Sequence, residues 1–317
     1  MVSGLAAPWA IAFLPDGTAL VSERDSGRVL SVGPGGALRE VQRLAVTARG
    51  EGGLLGLAVS PGFASNGLVY AYHSTGSDNR VVRFRLGQPA EPVLIGIPVA
   101  SNHNGGRIAF GPDGLLYVAT GDAGDPSRAQ DRGSLAGKIL RVNADGSVPP
   151  GNPFASPVWS FGHRNVQGLA WRGDGRMYAT ELGQNTFDEL NHIVPGANYG
   201  WPVVEGRAGD GRFTDPIAQW SPAEASPSGA VVLTGGSIPQ WEGDVLFAGL
   251  RGQRLWRVDL DADGGVAGTE ALFAGDFGRL RHAAQAPDGS LWVLTNNTDG
   301  RGDPRRGDDR ILRIGPS

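Results

Sequence analysis

The chain has 317 residues, with 28 Lys and Arg against 32 Asp and Glu and a formal charge of -4. Such a near-neutral, mildly acidic chain is a poor general ligand for nucleic acid or anionic membrane. It has no cysteine, which excludes disulfides, thiolate metal centres and a cysteine nucleophile. Apolar runs such as Val93–Pro98 are too short to span a bilayer. The chain carries 51 Gly and 22 Pro, yet 40% of its residues are apolar. Dense turns with an adequate core imply many short strands. At the N-terminus, Met1–Gly4 runs straight into Leu5–Trp9 with no basic stretch followed by an apolar one, so no targeting segment is legible there.

One unit recurs along the chain: an apolar stretch, a Pro/Gly/Asp turn, then an alternating apolar strand. It appears as Ile11–Gly17 before Ala19–Glu23, and as Leu57–Gly62 before Leu68–Tyr72. The third copy is Ile108–Gly114 before Leu116–Thr120, and the fourth Leu169–Gly175 before Met177–Thr180. A degenerate fifth copy, Ile238–Gly243 before Val245–Ala248, precedes a sixth, Ala284–Gly289 before Leu291–Leu294. Asp-Gly supplies the positive φ of a tight hairpin turn, and a preceding Pro presets the entry. Further strands follow at Val81–Leu86, Lys138–Val142, Arg254–Val258 and Arg310–Ile314, with Arg or Lys alternating against apolar residues. Six units of roughly 45–65 residues, each able to hold four strands, predict an all-β, six-bladed β-propeller of four-stranded antiparallel blades. No helix of useful length and no linker is legible, so a single domain over 1–317 is expected.

Loops that break the repeat are where chemistry should lie. They are residues 101–107, 121–137, 159–168, 181–202, 205–230 and 296–309. The ordered stretches Glu51–Gly56, Asn102–Ile108, Tyr117–Asp122, Gly137–Val142, Gly162–Ala170, Asp188–Asn191 and Gly196–Pro202 resemble the soluble quinoprotein glucose and aldose sugar dehydrogenases. That family uses pyrroloquinoline quinone (PQQ) and calcium, and this compact chain is more similar to its aldose branch. The resemblance implies an enzyme that oxidises the anomeric hydroxyl of an aldose to a lactone and is reoxidised by an external acceptor. It also implies a periplasmic or secreted location, and a monomer is expected.

Removal of a proton and a hydride from a sugar needs a base with a pKa near the working pH, and histidine suits this best. His103, in its Asn-His-Asn-Gly-Gly-Arg loop, is the expected base, with Asp122 fixing its tautomer. The hydride needs a cofactor, and no Gly-x-Gly-x-x-Gly joins a strand to a helix. By the resemblance, Arg251, Arg279 and Arg281 face the three carboxylates of PQQ, while Arg164 and Asn165 lie beside its quinone carbonyls. Arg279 and Arg281 have strand spacing, and two crowded guanidiniums imply an anion between them. His163, next to Arg164, is expected to point away and to be structural. The resemblance also places one calcium on the carbonyls of Gly183 and Gln184, and another on Glu189 and the Tyr199 carbonyl. Glu51 stands where glucose-specific members carry a glutamine, Leu182 replaces a glutamine and Asn102 an aspartate. These departures bear on sugar preference. Trp220 and Ser226–Gly229 are expected in the sugar wall, whereas Arg301–Asp303 and Asp261–Gly265 read as turns and Asn296–Thr298 fits a glycosylation acceptor, of use only in a host that glycosylates. Two other classes remain open: a metal-dependent propeller lactonase, and a binding propeller without catalysis.

Overall fold

A computed structural model describes residues 2–315. Its strands, in chain order, begin with Val2–Ser3 (β1), Pro8–Phe13 (β2), Ala19–Glu23 (β3), Arg28–Val32 (β4) and Leu38–Arg43 (β5). Leu54–Val59 (β6), Leu68–Ser74 (β7), Asn79–Arg85 (β8) and Glu91–Ile97 (β9) follow. Next come Ile108–Phe110 (β10), Leu116–Ala119 (β11), Lys138–Val142 (β12) and Val158–Phe161 (β13). Val166–Trp171 (β14), Met177–Glu181 (β15), Asp188–Ile193 (β16) and Ala218–Trp220 (β17) form the next set. The chain ends through Pro227–Val232 (β18), Val245–Gly249 (β19), Arg254–Leu260 (β20), Val266–Leu272 (β21), Leu280–Gln285 (β22), Leu291–Thr295 (β23) and Arg310–Ile314 (β24).

The architecture is all-β and propeller-like. Four sheets have four strands each: β2–β5, β6–β9, β10–β13 and β14–β17. The fifth has eight strands, in the order β1-β24-β23-β22-β18-β19-β20-β21. Its two halves meet through one parallel bridge, Gly229 to His282. A Cβ on Gly229 would lie 2.1 Å from the His282 ring, so only glycine lets the backbones come this close. The N-terminal β1 pairs with β24 and so joins the chain's two ends.

The innermost strands β2, β6, β10, β14, β18 and β22 together line one axial channel. Five of them share a local feature: the register slips by an extra residue near the N-terminal end of β2, β6, β14, β18 and β22. A bulge re-aims the side chain it carries. Here the displaced positions include Trp9, Leu55, Gln167, Ser228 and Arg281, all buried. Trp9, Gln167 and Arg281 line one pocket at the mouth of the ring, and Ser228 bonds to the latter two.

Loop 121–137 is fastened by Lys138, which is fully buried and donates to the carbonyls of Arg128 (2.7 Å), Ala129 (3.0 Å) and Ala136 (2.6 Å). Burial pulls its ammonium down to about 8. Substituting Lys138→Met leaves these carbonyls without their donor. The expected result is a loss of about 3 kcal/mol, read as a lower midpoint in chemical denaturation with an unchanged slope.

Candidate active site

His103 has φ 54°, a left-handed conformation that is uncommon for a non-glycine residue. Gly105 and Gly106 follow with positive φ, and a Cβ on Gly105 would lie 2.6 Å from the Thr120 backbone. The loop therefore packs tightly on the end of β11, and this fixes the imidazole. His103 Nδ1 lies 2.8 Å from Asp122 Oδ1. The second carboxylate oxygen of Asp122 accepts from the Trp201 indole N–H at 2.9 Å. Asp122 is 1% exposed, and its carboxylate fixes the ring so that Nε2 is the nitrogen left for a substrate. The His103 backbone N–H donates to Glu51 Oε2 at 2.8 Å, and Glu51 Oε1 pairs with Arg301 at 2.9 Å.

Beside this dyad, four guanidiniums (Arg24, Arg279, Arg281, Arg301) and two carboxylates (Glu51, Asp299) line one pocket with Trp9, Gln167 and Leu182. The anion that the arginine spacing called for is present within the fold. Asp299 Oδ2 lies 2.9 Å from Arg279 and 3.6 Å from Arg281. It balances only part of the charge, and Arg279 Nε is buried without a partner. Arg281 donates to Gln167 Oε1 at 2.9 Å. Arg251 is exposed, and among the described residues it forms no ion pair.

Arg164 bridges to the same mouth. Its guanidinium donates to the carbonyls of Leu182 (3.2 Å) and Gly183 (2.5 Å), lies 5.4 Å from the Trp201 ring, and keeps a buried Nε with no partner. Asn165 turns inward, where its Oδ1 accepts the Gly105 N–H at 3.0 Å. The loop 183–187 wraps a carboxylate that sequence reasoning missed. Glu205 Oε1 accepts the N–H groups of Gln184 (2.6 Å), Asn185 (3.0 Å), Thr186 (2.9 Å) and Phe187 (3.2 Å). Burial raises its pKa, but these donors outweigh burial and leave it below the usual value.

Behind Arg164 lies a buried acidic cluster. Glu181 pairs with His163 at 2.8 Å and also accepts the Arg164 N–H. Tyr199 stacks on His163 with ring centroids 4.6 Å apart, so His163 faces away from the pocket. Glu189 opposes Glu181 across β15 and β16 and accepts from Gly206 N (2.8 Å) and Asn191 Nδ2 (3.0 Å). Burial, then Glu181, raise the Glu189 carboxyl well above the carboxylate range. Burial likewise pushes Asp188 up to about 6. Asn191 Oδ1 is buried with no partner. Two facing carboxylates and an orphaned oxygen form an oxygen-rich set of the kind a hard cation accepts. Among the described residues, no group of three or more His, Asp and Glu side chains is placed to hold a metal, so carbonyls would have to complete any shell.

The model of the glucose/sorbosone dehydrogenase family matches residues 5–312. This chain belongs to that family. A PQQ-bound aldose sugar dehydrogenase from Streptomyces coelicolor is 50% identical and superposes with a TM-score of 0.93, covering 98% of this chain and 95% of that one. Aldose sugar dehydrogenase YliI of Escherichia coli is 28% identical over 92% of this chain and 88% of its own. Quinoprotein glucose dehydrogenase B of Acinetobacter calcoaceticus is 34% identical over 67% of this chain and 54% of its own. Membership in the glucose/sorbosone dehydrogenase family agrees with the resemblance carried by the loop motifs. No helix among the described residues is long and apolar enough to cross a membrane.

Several site residues went unnoticed in the sequence. Trp201 stands inside the Gly196–Pro202 stretch and Arg107 inside the Asn102–Ile108 stretch, so both were within view. Asp299 lies in the repeat-breaking loop 296–309, but nothing local marks it out from the neighbouring Asn, Asp and Gly residues. Gln167 stands inside the Gly162–Ala170 stretch and was also within view, whereas Trp9 gave no signal, because a bulge decides where it points.

Proposed function

We propose that the chain is a PQQ- and calcium-dependent aldose dehydrogenase that oxidises the anomeric hydroxyl of an aldose to a lactone and passes electrons to an external acceptor. The observation that carries this is the His103–Asp122 dyad, 2.8 Å long, at a mouth lined by more arginines than carboxylates. The pocket suits a tricarboxylate, since Arg279 and Arg164 each keep a buried Nε unpartnered. When bound, PQQ accepts the two electrons leaving the sugar, and calcium acts as a Lewis acid on its carbonyl.

The chain's own residues do the rest. Asp122 accepts a hydrogen bond from the Nδ1–H of His103, so Nε2 is the base that takes the anomeric hydroxyl proton. Arg164 stands as a fixed cation where negative charge develops, with Asn165 holding the His103 loop through Gly105. Arg279 and Arg281, with Arg251 at the rim, are the carboxylate partners. Glu51 sits against both the His103 backbone and Arg301, and we assign it to the sugar side of the pocket. Calcium would share the Gly183 carbonyl with Arg164, because a carbonyl oxygen carries two lone pairs, and would use the Gln184 carbonyl beside it. The second cation would rest on Glu189 and the Tyr199 carbonyl, next to the orphaned Asn191 Oδ1.

We read the eight-stranded sheet as two blades joined by the Gly229 bridge, which gives one six-bladed propeller for the chain. Work outside the cytoplasm, where sugars and free PQQ meet, fits this chemistry. A metal-dependent lactonase would need several acidic side chains converging on one ion, and among the described residues no group of three or more is so placed; it would also leave the arginine cluster unexplained.

The test is dye-linked oxidation of a panel of aldoses by protein reconstituted with PQQ and calcium. Dye reduction that requires both additions is the expected result, and no reduction with any aldose would sink the proposal. Replacing Trp201→Phe keeps an aromatic face but loses the indole N–H to Asp122. A roughly tenfold lower kcat with PQQ affinity nearly unchanged is expected, measured in the same dye assay.

A further inference from the structure

One side chain near the site has no role in the scheme above. Arg107, at the entrance to β10, is 3% exposed. Its Nε donates to the Gln167 carbonyl at 2.8 Å, NH1 faces His282 Nδ1 at 3.3 Å, and NH2 is buried with no partner. No carboxylate pairs with it among the described residues. His282 offers no negative charge. Its Nδ1 also accepts the Ile11 N–H at 3.0 Å, so the ring is a neutral acceptor.

A guanidinium stays charged in proteins, and a buried cation without a counter-ion is costly. Burial and the neighbouring Arg281 both work against this charge, so the fold carries it without compensation. On one side Arg107 lines the axial channel; on the other, its contacts lead to the site pocket. Arg107 lies 4.2 Å from the centroid of the Trp9 ring, and Arg281 lies 5.7 Å from it on its own approach. Both guanidiniums also share Gln167, one through its carbonyl and one through its side chain. Trp9 and Gln167 are themselves walls of the arginine pocket. Arg107 therefore stands one layer behind the pocket floor, with an aromatic face between.

We infer that Arg107 is a positioning residue whose buried charge is balanced by an anionic planar ligand lying on the far side of Trp9. The inference rests on the PQQ reading and deepens it, by making the pocket floor select for the ligand's carboxylates as well as its shape. The pocket-facing arginines contact the ligand, whereas Arg107 acts through Trp9 and Gln167 at low dielectric, where charge is weakly screened.

The experiment compares wild type, Arg107→Met and Arg107→Lys in two measurements. The first is binding of PQQ and of its uncharged trimethyl ester, followed by quenching of tryptophan fluorescence. Arg107→Met is expected to bind PQQ at least tenfold more weakly and the ester as well as wild type does, while Arg107→Lys stays within about threefold for both. The second is the melting temperature of the ligand-free protein. Arg107→Met should melt within a few degrees of wild type, because the hydrogen bond lost at the Gln167 carbonyl is offset by removal of an uncompensated buried charge.

Equal PQQ affinity in wild type and Arg107→Met overturns the inference, as does an equal loss for acid and ester, which would mean packing alone. An Arg107→Met chain that fails to fold or melts markedly lower also overturns it, since the charge would then be balanced within the fold. A wild-type melting temperature that rises with chloride, but not in Arg107→Met, would place the counter-ion in the axial channel instead. Wild type that binds neither PQQ nor ester fails the PQQ reading itself, a result distinct from each of these.

Discussion

Replacing His103→Ala should lower the rate of aldose oxidation by about 1,000-fold, within the range a positioned general base contributes, while PQQ binding is retained. The physical reason lies in how the imidazole is held. Its Nδ1 is tied to a carboxylate that is 1% exposed and anchored on its other side by the Trp201 indole. Alanine removes the proton acceptor but leaves Asp122, Trp201 and the arginine pocket in place. Binding and chemistry should therefore separate. Stopped-flow mixing of the PQQ-loaded variant with sugar reads this directly, with the cofactor spectrum unchanged before mixing and nearly static afterwards. Loss of PQQ binding along with turnover would mean that His103 is a structural part of the cofactor pocket. Turnover within tenfold of wild type would mean that another group takes the proton.

Replacing Arg279→Ala should weaken PQQ binding by about 100-fold, the scale of one strong charge-assisted contact. Arg279 is only 8% exposed, lines the pocket, and has an Nε with no partner in the fold. Its other contact, to Asp299, is shared with Arg281. Truncation would therefore leave Asp299 paired at one side, facing the ligand's carboxylates with less positive charge beside it. Arg279→Lys should recover only part of the affinity, because an ammonium cannot reproduce the fork that meets a carboxylate. A fluorescence titration in the presence of calcium measures both variants. An unchanged Kd for Arg279→Ala would remove Arg279 from the cofactor site.

Much of this molecule is written locally. The Pro-Asp-Gly turns and alternating strands around Ile108–Thr120 or Leu169–Thr180 specify hairpins through short-range backbone preference, and the observed β10–β11 and β14–β15 pairs fall on them. The eight-stranded sheet was not legible, because a single close approach at Gly229 joins its halves and depends on a residue more than fifty positions away.

The site divides in the same way. His103 and Asp122 sit in loops that break the repeat, and those loops do meet. What sequence could not give is the sideways step at each bulge, which has no compositional mark yet sends Trp9, Gln167 and Arg281 to the axis. Nor could it show that Asp299, from a turn-like run of Asn, Thr, Asp and Gly, would stand between two arginines. Arg251 is exposed next to Leu250, a wall of the arginine pocket, and its place as a ligand partner rests on the family motif alone.

On the proposed function, the ring of strands gathers His103, Arg164 and the arginine pair around one anionic redox ligand. A crystal structure of the protein soaked with PQQ and calcium would show that arrangement. The predicted result is one PQQ per chain between Trp9, His103 and Arg279, with its carboxylates toward the arginines. PQQ bound on another face, or a mouth that stays empty at saturating PQQ and calcium, would contradict the account.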